Sequence, residues 1–206
     1  SRDWSSDVCS SDLHAAENAP VRLNIFVAGV TAAFVYPYIG FMPVFVTQNL
    51  HGGAREQGLI LSAAGVGSMV GLWYVAAGRG GQRLTLWTGA GYMLLVAVFA
   101  QITSFWIAMG VLVVAGVVHS VYSTLNQALV QLHSGETYRS HTMGIYQMVT
   151  GVQPFSTLVL GLLIERIGPA HAVGLYAGLA ATITAALAVG ATLSARAPAA
   201  PATDRE

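Results

Sequence analysis

Seven polar side chains recur in an otherwise apolar run between His119 and Gln131: His119, Ser120, Ser123, Thr124, Asn126, Gln127 and Gln131. At about 100° per residue they fall within about 160° of a helix circumference, and Val121, Leu125, Leu129 and Leu132 fall on the opposite side. Such a set offers neutral hydrogen-bond donors and acceptors. Two readings fit: a span lining a wet cavity that holds a small molecule, or an interhelical hydrogen-bond seam with no ligand. Seven polar groups exceed what packing usually requires, which favours the cavity. His119 is the one group within an apolar run whose charge can change near neutral pH. It is either a proton relay or a neutral, hydrogen-bonded histidine.

The same theme extends to other runs. Gln147, Thr150, Gln153 and Thr157 lie within one half of a helical wheel, and Asn24, Thr31 and Tyr38 share a face because they recur every seven residues. Pro37, Pro43 and Pro154 each remove a backbone hydrogen bond, so each marks a kink or a hinge. Small residues at four-residue intervals, Ala63, Gly67 and Gly71 and then Gly174 and Gly178, allow close helix contact. They suit packing within one bundle or a homodimer seam. An intramembrane serine protease would need Gly-x-Ser-Gly, whereas Gly65-Val66-Gly67-Ser68 has the wrong order, and no catalytic residue, metal site or cofactor is expected.

These residues must be positioned in lipid. Only 9% of the 206 residues are charged, 54% are hydrophobic and mean hydropathy is +0.61, against about 25% charged in a soluble domain. The formal charge is zero and no lysine occurs, which excludes an electrostatic nucleic-acid binder. The opening Ser1 to Leu13 repeats Ser-Ser-Asp and holds the single cysteine, Cys9. It resembles a translated sequencing adapter, so residues 1–19 are set aside from the fold.

Runs of about 17 to 25 apolar residues can cross about 30 Å of hydrocarbon as helices. Six such runs are free of Asp, Glu and Arg: 23–47, 58–77, 84–100, 105–132, 142–164 and 172–193. They predict an all-α membrane domain over 20–193, followed by a disordered Ala- and Pro-rich tail, 194–206. Arg22, Arg79, Arg83, Arg139, Arg196 and Arg205 fall on one face, and only Arg55 and Arg166 on the other. The positive-inside tendency therefore puts both termini in the cytoplasm.

From Asn126 onward the chain reads NQALVQLHSGETYRSHTMGIYQMVTGVQPFSTLVLGLLIERIG. This resembles the tenth and eleventh spans of a major facilitator superfamily transporter, in the bacterial branch that holds enterobactin-exporter-like and multidrug exporters. The connector Gly78-Arg79-Gly80-Gly81-Gln82-Arg83 resembles that family's basic loop between the eighth and ninth spans. The resemblance covers about residues 20 to 193. It implies a C-terminal six-helix half-bundle of two three-helix inverted repeats, with the N-terminal half of the transporter missing as a partner. The first, second, fourth and fifth spans would face the substrate cavity and the third and sixth would lie outside. Arg79, Arg83, Glu136 and Arg139 would form the cytoplasmic gate and loops. Two departures stand out: Arg139-Ser140-His141 replaces the family's usual Arg-Gly-Arg, and the basic loop lacks its usual acid. The implied activity is secondary-active export of a drug or siderophore across the bacterial inner membrane. A six-span enzyme and a standalone dimerising membrane protein are the alternatives.

Overall fold

The computed structural model describes residues 18–194. The expectations placed on the adapter-like start and the tail lie outside these, apart from Asn18, Ala19 and Ser194. The described residues form nine helices and no strand: α1 (Ala19–Phe34), α2 (Pro37–Gly40), α3 (Met42–Asn49), α4 (Ala54–Ala76), α5 (Gln82–Phe99), α6 (Phe105–His133), α7 (Gly135–Thr150), α8 (Gln153–Ile167) and α9 (Pro169–Ser194).

The prolines account for the segmentation. Pro37 opens α2, Pro43 lies in the first turn of α3 and Pro154 lies in the first turn of α8. A proline fits the first helical turn, where its missing N–H is unpaired in any case. The expected first span is therefore broken at Val35 and Tyr36, where both backbone N–H groups converge on the Thr31 carbonyl at 2.9 and 3.0 Å. The expected fifth span is broken at Gly151 and Val152.

Five helical stretches are long and apolar enough to cross a membrane: 19–40, 54–76, 105–133, 138–167 and 169–193. The expected third span, 84–100, forms helix α5 but does not join them. Its 18 residues begin with Gln82 and Arg83. The apolar remainder from Leu84, 16 residues at about 1.5 Å each, falls short of about 30 Å of hydrocarbon.

Contacts at the helix ends establish how the chain is threaded. Asn18 Nδ2 donates to the His133 carbonyl at 2.8 Å, and Asn24 at the start of α1 pairs with Gln82 at the start of α5. At the other end Gln101 Nε2, just past α5, donates to the Ala170 carbonyl at 3.1 Å. Successive traverses thus run up and down. Arg22, Arg79, Arg83 and Arg139 share one end of the bundle, and Arg55 and Arg166 the other.

Helix α5 packs between α6 and α9, with Leu86, Met93, Val96 and Phe99 all essentially inaccessible. Its other face is open, with Trp87, Leu94 and Val98 exposed, so α5 buries one side only. Gly89 permits the approach, because a Cβ there would sit 2.9 Å from the Tyr122 ring. The most exposed helices are α4, α7 and α8, which present Met69, Trp73, Met148 and Phe155 outward at more than 70% exposure. Large apolar side chains at that exposure suit lipid contact, not water.

The tightest contact joins α4 to α6. A Cβ on Gly67 would collide with the Val113 carbonyl, one on Gly71 with the Val117 carbonyl, and one on Gly116 with the Ala64 carbonyl. The small-residue stripe of α4 is thus consumed inside the bundle, as the first of its two readings held. The second pair behaves differently. Gly174 receives the Gln101 side chain, whereas Gly178 has nothing within 4 Å.

Candidate functional site

The polar face of α6 splits in two. Ser123, Thr124, Gln127 and Gln131, with Ala128, line an open cleft of about 290 Å³. The other polar residues turn into the bundle. Ser120 is buried against Gly71, and Asn126, fully buried, donates to the Asn24 carbonyl at 3.2 Å. His119 lies against Tyr92 with ring centroids 4.6 Å apart and edge-on to Tyr36 at 6.0 Å. The single polar face read from the wheel thus serves two different surfaces.

The first-span residues keep their shared face in spite of the helix break. Asn24 Nδ2 donates to Gln82 Oε1 at 2.8 Å while Gln82 Nε2 returns to Asn24 Oδ1 at 3.3 Å, a two-way amide pair joining α1 to α5. Thr31 Oγ1 donates to the Val27 carbonyl at 2.8 Å. Its one proton is thus used, so the 2.8 Å contact with Tyr122 has the phenol donating to Thr31. Tyr38 lies beside Phe99 of α5 with ring centroids 6.4 Å apart. All three residues look toward α5 and α6.

The fifth-span residues contribute less than expected. Thr150 and Thr157 spend their hydroxyls on carbonyls one turn back in their own helices, at 3.1 and 2.8 Å. Gln147 is exposed and Gln153 half-buried. The connector charges do not form a latch: among the described residues no ion pair joins Arg79, Arg83, Glu136 and Arg139. The Arg79 guanidinium instead lies 5.6 Å from the centre of the Tyr74 ring, within cation–π range.

No protein-family model, curated protein or solved structure matches this chain. Its chemistry therefore rests on the site itself.

A cluster that helical periodicity does not reveal completes the site. Tyr36 and Tyr92 flank His119, and Tyr38, Tyr122 and Tyr146 stand near them, so that four different traverses contribute tyrosines to this part of the bundle. Tyrosine at single positions in apolar runs reads as interfacial anchoring, so only the packing reveals the cluster. Among the described residues two buried side-chain atoms, both on α6, have no hydrogen-bond partner: His119 Nε2 and Asn126 Oδ1. Each lacks a partner in a region where such a group ordinarily has one. They lie seven residues apart on α6, about two turns, and so on nearly the same face.

The Thr31–Tyr122 bond is a direct link between α1 and α6. Tyr122→Phe keeps the packing and removes only that bond. It is expected to lower stability by about 1 kcal/mol, measured by unfolding in mixed micelles, and Tyr122→Phe with Thr31→Val should cost less than the two single changes added together.

Proposed function

We propose that this chain is the C-terminal six-helix half of a twelve-span secondary-active exporter in the bacterial inner membrane, with both termini cytoplasmic. Its substrate is a small uncharged or amphiphilic molecule such as a drug or siderophore. The observation that carries this reading is the polar cleft of Ser123, Thr124, Gln127 and Gln131 on a helix otherwise apolar enough to span a bilayer. In lipid, neutral polar groups left open on one helix face are costly unless water or a ligand meets them. The helix breaks at Tyr36 and at Val152 support it, since irregular backbone at membrane depth is tolerated beside a cavity. Export would proceed by rocking this half against its missing partner around the cleft.

Thiol labelling tests the cleft. In a Cys9→Ser background, Ser123→Cys and Gln127→Cys in the membrane-embedded chain are expected to react at least about tenfold faster with a membrane-impermeant thiol reagent than Leu94→Cys. Leu94 is 57% exposed on an apolar face and lines neither cleft, so it controls for exposure to lipid. Protection of Gln127→Cys by an added amphiphile would identify a ligand. Equal rates at the three positions would remove the wet cavity, and the exporter reading with it.

A further inference from the structure

A second cleft, unrelated to the polar face of α6, opens between the far half of the first traverse and α8. Its volume is about 670 Å³, within the usual range for small-molecule sites. Phe41 and Val44 form one wall and Leu158 and Leu162 the other, with Gln48 and Glu165 also lining it. Gly161 makes room: a Cβ there would meet the Phe41 ring at 3.0 Å. The walls suit a hydrocarbon chain.

The polar residues are not distributed at random along this cleft. Gln48 lies one residue from the end of α3 at Asn49, and Glu165 two residues from the end of α8 at Ile167. Both therefore stand at the same end of the bundle, where apolar helices give way to the headgroup layer. The two helix C-termini add negative partial charge from their unpaired carbonyls. Glu165 is exposed, with no cation at ion-pair distance among the described residues. The neighbouring Arg166 does not line the cleft.

We infer that this cleft binds phosphatidylethanolamine, with one acyl chain between Phe41 and Leu162 and the primary ammonium on Glu165 and the Gln48 amide oxygen. Charge complementarity selects that occupant. An acidic rim at two helix C-termini repels anionic phosphatidylglycerol. A choline headgroup carries the positive charge without an N–H to donate, whereas the ammonium supplies three donors to the carboxylate and the amide. The site requires that this cleft face lipid and not the substrate cavity; the lipid test reads headgroup preference here and the thiol test reads the α6 face, so either can fail while the other stands.

Native mass spectrometry of the full chain, released from equimolar phosphatidylethanolamine, phosphatidylcholine and phosphatidylglycerol, tests it. One phosphatidylethanolamine is expected to be retained at least about fivefold over either competitor. Glu165→Gln should reduce that preference to near unity, while Glu136→Gln, at the opposite end of the bundle, should leave it unchanged. Gly161→Leu, which fills the cleft, should remove the retained lipid at unchanged helicity. Equal retention of the three lipids, or a preference that survives Glu165→Gln, would overturn the assignment. So would a dimer that buries the cleft and excludes lipid.

Discussion

Replacing Gly67 with alanine is expected to destabilise the bundle by about 2–3 kcal/mol, and replacing it with leucine to prevent folding. The added Cβ would lie 2.9 Å from the Val113 carbonyl carbon and 3.1 Å from the Val117 nitrogen, and closer still to the Val113 oxygen. These are backbone atoms of a helix that is itself packed on two sides. No side-chain rotation relieves the clash, so α4 and α6 must separate, and the effect belongs at the upper end of the usual overpacking range. Separation also loosens the reciprocal contact of Gly116 on Ala64 and the 3.4 Å approach of the Ser68 hydroxyl, which donates to the Ala64 carbonyl at 3.0 Å, to the Gly116 carbonyl. Glycines with nothing nearby provide the control. Gly65→Ala and Gly178→Ala meet no atom within 4 Å and should be neutral or stabilising by a few tenths of a kcal/mol through helix propensity. Denaturant titration of the purified chain in mixed micelles separates the cases. If Gly67→Ala behaves like Gly65→Ala, the close crossing of α4 and α6 is wrong.

Asn24→Leu should cost about 2 kcal/mol in the same titration. Asn24 is fully buried and makes three side-chain hydrogen bonds, two with Gln82 and one to the Pro20 carbonyl at 2.8 Å. Leucine is of similar size, so the loss is of bonding, and it leaves the half-buried Gln82 amide without its partner. The Asn126 bond to the Asn24 backbone carbonyl survives, since it does not depend on the side chain. Gln82→Leu in the Asn24→Leu background is therefore expected to recover part of the loss, because two apolar groups then meet. Additive costs would indicate that the amide pair does not join α1 to α5.

Most of the helical framework is legible in the linear sequence. Apolar runs free of charge fix the traverses to within a few residues, and prolines fix where the first and fifth are interrupted. The limit appears at residues 84–100, where a run of sufficient apolar character forms a helix that is short for a membrane and buries one face against α6 and α9. Hydropathy measures what a segment can be surrounded by, and the interior of a bundle and the interior of a bilayer are equally apolar.

The division of the α6 polar face shows the same boundary more sharply. Periodicity correctly gathers His119, Ser123, Asn126, Gln127 and Gln131 on one side of one helix. It has no means of knowing that Gly71 and Gly89 on two other helices draw Ser120 and Tyr122 inward while Gln127 and Gln131 remain open on the cleft. The tyrosine cluster around His119 lies wholly beyond it, since its members come from four traverses and carry no common spacing.

The sequence by itself thus determined that this protein is helical and lipid-embedded, where its traverses turn, and which residues share a helix face, because each follows from local composition and a fixed angle per residue. The tertiary structure alone decided which of those faces is core, cleft or lipid surface. That outcome depends on how closely two helices can approach, and the approach is set by glycines on one helix meeting the backbone or a ring of another.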